Sequence, residues 1–437
     1  MVVRGPVVAL VLLGLVPAAL WPGRAGVVAA GWLLGVALLV VVDLLLTPSP
    51  RSLLADRGEV PAVRLGGSTT AELTLTNDGA RRVRGLVQDA WVPSAGADGT
   101  RHLLDVAPGQ VQRVRTTLTP TRRGDRPATG LAVRVHGPMG LAGRQRTSAV
   151  GGAVRALPPF RSRRHLPSRL ARLRQIDGRS AVRTRGQGTE FDSLRDYVEG
   201  DDVRSIDWRA TARRQHTVVR TWQPERDRRV LLVLDTSRTS AARVGDEPRL
   251  DAAMDAALLL AALAARAGDR VDLLAGDRSL RARVGSGTGA AGGSADLLHR
   301  LVTAMAPLEP VLVEADWTRL AGAVNGTTRR RALVVLLTPL EPAAVEEGLL
   351  PVLPSLTAHH HVVVASVADP AVAAMAGDLG SVPAVYDAAA AERTGALRRR
   401  TASALRQLGV EVLDRAPHDL PAALADHYLQ LKATGRL

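Results

Sequence analysis

The stretch 183-RTRGQGTEFDSLRDYVEGDDVRSIDWRATARRQHTVVRTWQPERDRRVLLVLDTSRTS-240 decides how this chain is read. Residues 230–234 are a short aliphatic run of the length expected for a fully buried strand. That run ends in Asp235-Thr236-Ser237-Arg238-Thr239. A carboxylate and two hydroxyls on alternate residues at the C-terminal end of a buried strand can converge on one point. In open α/β sheets that edge is where ligands bind. Oxygen-only ligands there suit a hard cation such as Mg²⁺. The cheaper alternative is that Asp235 and Ser237 cap the turn that follows.

Working outward, residues 218–222 read as another strand, and residues 190–214 alternate acids and bases around a few apolar residues. Phe191, Leu194 and Val198 fall at helical spacing, and Gly200 offers a stop, so the pattern predicts a helix. Ion pairs on a solvated face, each worth ~0.3–0.5 kcal/mol, would account for the composition alone. The presence of Phe191, Tyr197, Ile206 and Trp208 in the same stretch instead predicts charges beside packed apolar groups. Such a segment should pack against the strand that carries Asp235 and hold its loop.

The order E-F-x-x-L-R-x-Y-x-x-G-D-D-x-R-x-I-D-W is formed by Glu190, Phe191, Leu194, Arg195, Tyr197, Gly200, Asp201, Asp202, Arg204, Ile206, Asp207 and Trp208. With the VLDTSRT strand after it, this order resembles the bacterial membrane proteins catalogued as domain of unknown function fifty-eight. The resemblance implies a transmembrane hairpin of two helices, then an all-β sandwich, then a doubly wound α/β domain of von Willebrand factor A type. It also implies a candidate metal-dependent adhesion site. Asp235 and Ser237 match that site's pattern, Thr239 keeps the hydroxyl of the second serine, and Thr318 stands for the second-loop threonine. Pro339 occupies the place of the expected third-loop Asp, so the site is degenerate unless Glu341 reaches in. At most a weakly bound Mg²⁺ is then expected.

Composition sets the limits around this reading. The chain has 437 residues, a formal charge of +15, no cysteine and only 3% aromatic residues. Disulfides, thiol catalysis and thiolate metal sites are therefore excluded. The basicity is almost all Arg, interleaved with acids, and stacking aromatics are scarce, so no nucleic-acid partner is expected. The triple His359-His360-His361 precedes a buried strand, where alternate residues point to opposite faces and cannot chelate together.

Taken in order, residues 1–50 hold two apolar runs, 6–21 and 25–47, separated by Pro22-Gly23-Arg24 and read as a transmembrane hairpin. Asp43 near the end of the second run is expected to reach the aqueous interface without a role. Arg4, Arg51 and Arg57 flank the outer ends against a single Arg24 in the turn. That bias predicts an inner (plasma) membrane protein with two spans and cytoplasmic soluble domains. Residues 55–158 alternate with period two and read as the sandwich. Residues 159–182 form a basic linker, or a short helix packed by Leu166, Leu170 and Leu173, and 183–437 the motif segment plus α/β domain. No catalytic motif is recognisable. The expected function is a membrane-anchored scaffold or adaptor that binds a protein partner. By resemblance that partner is a MoxR-type AAA+ ATPase, in assembly or maturation of envelope or secreted complexes. The alternative is a membrane-bound metal-dependent hydrolase using Asp235 and Asp207.

Overall fold

The computed structural model describes residues 2–183, 190–223, 228–285 and 293–437. The chain divides into two compact units, Met1–Leu157 and Pro158–Leu437.

In the first unit the initial apolar run does not form one helix. It folds as Gly5–Leu13 and Leu15–Leu20. Pro17 lacks an N–H, and its ring crowds the carbonyl four residues back, which breaks the run at Gly14. The second run is a continuous helix, Ala25–Leu46. Its 22 residues extend about 33 Å at ~1.5 Å each, enough for a bilayer core. Among the described residues it is the one helix long and apolar enough to cross a membrane. The two runs meet where Trp32 Nε1 donates to the Leu10 carbonyl at 2.8 Å. A Cβ on Gly14 would lie 2.3 Å from Trp32 Cδ1, so only glycine permits that approach.

Asp43 corrects the expectation drawn for it. It is fully buried, and its carboxylate accepts the backbone N–H groups of Met139 (2.8 Å), Leu141 (2.8 Å) and Ala142 (2.7 Å). The turn around Gly137-Pro138 thus closes on the end of the apolar helix. A Cβ on Gly137 would come within 2.2 Å of Asp43 Oδ1. An ionised carboxylate is worth its burial only when N–H groups surround it this way.

The period-two stretches produce two sheets. One holds Leu53–Arg57, Thr69–Asn77, Val111–Leu118 and Ala97–Asp98; the other has seven strands that include Gly124–His136 and Val83–Trp91. Leu73, Leu75 and Val114 of the first share one buried cluster with Val87, Val133 and Val135 of the second. Through this core Arg57 grips Asp89 at 2.6 and 3.0 Å, both side chains being inaccessible to solvent. Trp91 Nε1 and Thr116 Oγ1 also donate to Asp89, and the Arg57 guanidinium lies 4.6 Å from the Trp91 ring centre. Burial pushes the Asp89 carboxyl up, but Arg57, Trp91 and Thr116 together hold it below the ordinary carboxylate range.

The second unit is built on a six-stranded sheet. In chain order its strands are β1 (Arg229–Asp235), β2 (Arg270–Gly276), β3 (Leu280–Val284), β4 (Leu333–Leu337), β5 (His361–Val367) and β6 (Glu411–Arg415). Their spatial order is β3-β2-β1-β4-β5-β6; all neighbours run parallel except β3, which lies antiparallel at one edge. The helices of this unit include α1 (Arg249–Arg266), α2 (Ser294–Met305), α3 (Trp317–Thr327), α4 (Leu353–Thr357), α5 (Val382–Gln407) and α6 (Leu420–Ala433). α1 packs on β1, β2 and β5, and α6 on β5 and β6. On the other face Leu320 and Val324 of α3, Leu356 of α4 and Leu405 of α5 join Leu231, Val233, Val334, Leu336, Val362 and Val364 in one cluster. α1 is buried along most of its length, which is why its sequence is apolar nearly all round.

Residues 161–183 are helical, as 3₁₀ turns over Arg161–His165 and an α-helix over Leu166–Arg183. Leu173 is buried, and Arg169 pairs with Asp426 of α6 at 2.9 Å. The glycine-rich residues 286–292 lie outside the described residues.

The helix expected around Phe191, Leu194 and Val198 is instead a strand, Glu190–Asp196, antiparallel to Val218–Gln223. A bulge explains the misleading period. Phe191 opposes Trp222 and Ser193 opposes Thr221, which leaves Asp192 as the extra residue. The spacing of three from Phe191 to Leu194 therefore spans only two pairing steps, to Trp222 and Arg220.

The Asp43 clasp yields the first prediction. In Asp43→Asn one acceptor oxygen becomes an NH₂ that faces backbone N–H donors. The full chain in detergent should lose about 1.5–3 kcal/mol of stability in the first unit. Limited proteolysis at rising temperature reads this out; a variant that resists as the parent does would show that the three N–H contacts contribute nothing.

Candidate functional site

The strand order reverses between β1 and β4, because the chain leaves β1 toward one side of the sheet and returns through β4 on the other. Connections diverge at such a point and open a crevice beyond the C-terminal ends of the two strands. Leu234 of β1 pairs with Leu337 of β4, so Asp235 and Thr338 stand side by side at its mouth.

Asp235 is 1% exposed. Its Oδ1 accepts the Ser237 N–H at 2.8 Å, and its Oδ2 accepts the hydroxyls of Thr239 at 3.1 Å and Thr338 at 2.7 Å. Ser237 Oγ and Thr239 Oγ1 share a further hydrogen bond at 3.1 Å. Burial pushes the Asp235 carboxyl up from its ordinary value, against the downward pull of Thr338, Ser237 and Thr239. Above the group lies a cavity of about 250 Å³, whose lining also includes Glu314, Trp317 and Glu347. Arg238, the cationic residue of the lining, is engaged by Glu314. One strand further along, Ser366 Oγ accepts the Leu340 N–H and Arg398 Nη2, each at 3.1 Å, and Arg398 in turn grips Asp414 at 2.7 Å.

Of the expected site residues, Asp235, Ser237 and Thr239 come together. Thr318 does not join them: it is exposed at the start of α3 and does not line the cavity. Pro339 lines the cavity without a ligand atom to offer, and Glu341 turns away to Arg249 at 2.7 Å. The residue missed is Thr338, which precedes the Pro339 that stands where the third-loop Asp was expected. The available signal was that VLLVLD and LVVLLT are two buried strands ending in a polar residue at matching positions.

The family-motif residues form a separate hairpin, in which Arg195, Asp201 and Asp207 are engaged locally. Gly200 sits at φ +105°, a conformation reserved for glycine. Asp201 accepts the Val198 N–H at 2.9 Å and Arg195 at 2.6 Å. Ile206 bridges to Val219, and the Tyr197 N–H donates to Thr217 O at 2.9 Å. Asp207 caps the helix Trp208–Arg214 through the Ala210 N–H at 2.9 Å and pairs with Arg220 at 2.8 Å. The Ala210 N–H first, and Arg220 next, hold its carboxyl below the usual range. Arg204 is exposed, Leu194 is half-buried, and Trp208 is 69% exposed, so the expected packing around Trp208 is absent. The side chains of Glu190 and Phe191 lie outside the described residues. Among the described residues, none from this hairpin lines the Asp235 cavity, contrary to the expectation that it holds that loop.

A raised carboxyl pKa has a signed consequence. The folded state holds the Asp235 proton more tightly than the unfolded chain does, so its contribution to stability falls as pH rises from the unfolded value of ~3.9 through the raised folded value. Asp235→Asn should therefore unfold no earlier than the parent at neutral pH, with a flatter pH profile of melting. Thr338→Val leaves the carboxylate short of a donor and should cost about 1–3 kcal/mol at the same pH. Melting curves between pH 4 and pH 8 separate the two; an Asp235→Asn chain that melts well below the parent at pH 8 would contradict the assignment.

Comparison with known proteins bears on the same region. Residues 193–408 match the family described as "Protein of unknown function DUF58". Uncharacterized proteins of Mycobacterium bovis and Mycobacterium tuberculosis are each 30% identical over 186 residues, which is 42% of this chain and 56% of theirs. The chain thus spans little more than half the length of the curated relatives it matches. Among solved structures, the PapD-like domain 7 of human CEP192 is 18% identical over 25% of this chain and 90% of its own, with a TM-score of 0.18. The Escherichia coli chaperone DraB is 15% identical over 35% of this chain and 77% of its own, at a TM-score of 0.17. A GH20 exo-β-N-acetylglucosaminidase of Vibrio harveyi covers 83% of this chain and 75% of its own at 12% identity and a TM-score of 0.25. Scores this low carry no argument about the fold, and the similarities that remain are the family match over residues 193–408 and the mycobacterial relatives.

Proposed function

We propose that this chain is a membrane-anchored scaffold or adaptor whose α/β unit, of von Willebrand factor A type, binds a protein partner. Three features support the architecture: the β3-β2-β1-β4-β5-β6 order, the antiparallel edge strand, and the Asp-x-Ser-x-Thr segment at the switch point. The apolar Pro22–Ser52 segment supports the anchor, and the close approach of Gly14 to Trp32 supports a hairpin of two spans. The Arg bias at the outer ends favours a cytoplasmic α/β unit.

The observation that carries the binding role is the surface of the motif hairpin. Val198 and Val203 are each 62% exposed and Trp208 69%, while Arg195, Asp201 and Asp207 are engaged in caps and pairs within the hairpin. A solvent-exposed Trp is the type of residue on which interfaces concentrate their energy. The family resemblance points to a MoxR-type AAA+ ATPase as that partner. At the crevice, Asp235, Ser237, Thr239 and Thr338 form an oxygen-only donor set that fits Mg²⁺ in kind. With Asp235 the single carboxylate among these four, such an ion would take further negative charge from a partner's carboxylate. Two Thr hydroxyls and Ser237 would orient it.

The test is direct binding of the detergent-solubilised full chain to a purified MoxR-type ATPase of the same organism. Trp208→Ala should weaken capture by more than tenfold, ~1.4 kcal/mol or more, and melt like the parent because the ring is exposed. Absence of binding by the parent removes that partner; equal binding by parent and variant removes the hairpin as the contact. Protease added to intact cells should spare the chain beyond Arg51, and digestion from outside would overturn the orientation.

A further inference from the structure

At the opposite edge of the sheet, where the parallel strands begin, three side chains from distant parts of the sequence converge. His361 opens β5, Glu411 opens β6, and His427 lies on α6. Glu411 presents Oε1 to His361 Nε2 at 3.1 Å and Oε2 to His427 Nε2 at 2.7 Å, and the three groups' ligand atoms all lie within 4.8 Å of one another. Seven residues of β5 separate this edge from the Asp235 edge, roughly 20 Å at ~3.3 Å per residue.

Two features distinguish this cluster from an ordinary ion pair. The His361 and His427 side chains are only 9% and 13% exposed. Both Nε2 atoms are inaccessible to solvent, yet neither makes a hydrogen bond: the approach to Glu411 is close but misaligned. A buried ring nitrogen without a partner is costly, and here two of them face one carboxylate. We propose that His361, Glu411 and His427 form a binding site for a divalent transition-metal ion, with Zn²⁺ the best match. Two imidazole nitrogens and a carboxylate suit such an ion, and three protein ligands leave a coordination position for water. Burial lowers the proton affinity of both imidazoles, which keeps their lone pairs available at neutral pH. An ion there would tie β5, β6 and the C-terminal helix α6 together.

Arg436 is the competing cation. Its Nη2 lies 3.3 Å from Glu411 Oε1 on a side chain that is 61% exposed, so it can yield that oxygen and move into solvent. Its positive charge still opposes an incoming cation, which gives the proposal a variant that gains binding.

The full chain in detergent, stripped with chelator and dialysed, is titrated with Zn²⁺ alone and separately with Co²⁺. We expect one Zn²⁺ per chain at micromolar affinity or tighter, a Co²⁺ spectrum with visible d–d bands, and a rise in melting temperature on Zn²⁺ addition. His427→Ala and Glu411→Gln should each lose more than about tenfold in Zn²⁺ affinity. Arg436→Gln should tighten binding severalfold. Circular dichroism of each variant before titration separates lost binding from lost folding. The assignment is overturned if the folded parent takes up no Zn²⁺ at micromolar concentrations, or if His427→Ala and Glu411→Gln, both folded, bind it as tightly as the parent.

Discussion

The α/β unit depends on how one buried carboxylate is accommodated. Asp235 ends the central strand at the place where the sheet order reverses, and the crevice exists because the connections on either side of β1 and β4 diverge. An ionised group in that position loses water on nearly every side. No lysine, arginine or histidine pairs with it among the described residues; one N–H and two hydroxyls do the work. Those donors reduce the desolvation penalty without cancelling it, so the group holds its proton more tightly than an exposed carboxyl does. Thr338 reaches Asp235 from the end of the neighbouring strand and so links the two lips of the crevice.

The same problem is met elsewhere in the chain by different means. Asp43 is held by three backbone N–H groups, and Asp89 by a bidentate arginine, an indole and a hydroxyl. Asp269 lies under α6 with the Tyr428 hydroxyl at 2.5 Å and Lys432 Nζ at 3.6 Å. A chain with 3% aromatic residues fills its cores with Leu, Val and Ala, whose shapes offer little to fix one packing over another. Directional buried contacts of this kind supply geometry that aliphatic packing alone lacks. In the first unit, Arg57 and Asp89 belong to different sheets and fix one against the other.

The motif hairpin shows how a charged sequence can be ordered yet exposed. Its acids cap turns or a helix and pair with nearby arginines, as Asp201 does with Val198 and Arg195 and Asp207 with Ala210 and Arg220. Such contacts contribute little individually at the surface. Together they fix the backbone that displays Val198, Val203 and Trp208 to solvent. The residue order that looks over-specified for a helix is the order that a bulged hairpin with two acidic caps requires.

The sequence by itself pointed to the strands of the α/β unit, because a buried parallel strand is a continuous aliphatic run bounded by turn residues, and residues 230–234 and 361–367 fit that pattern at strand length. It determined the long apolar helix and the alternating strands of the first unit for the same reason: hydrophobic period is a local property. It also marked Asp235, Ser237 and Thr239, which share one turn. What needed the tertiary structure were the contacts made across the chain. Thr338 lies 103 residues from Asp235, Asp43 lies 96 to 99 residues from the turn that clasps it, and His361 and Glu411 become neighbours only when β5 and β6 pair. Even the local misreading of Phe191 and Leu194 has this origin, since a bulge is defined by the partner strand and one extra residue changes the apparent period. Period and composition report which residues are buried; sheet order and register decide which buried residues meet.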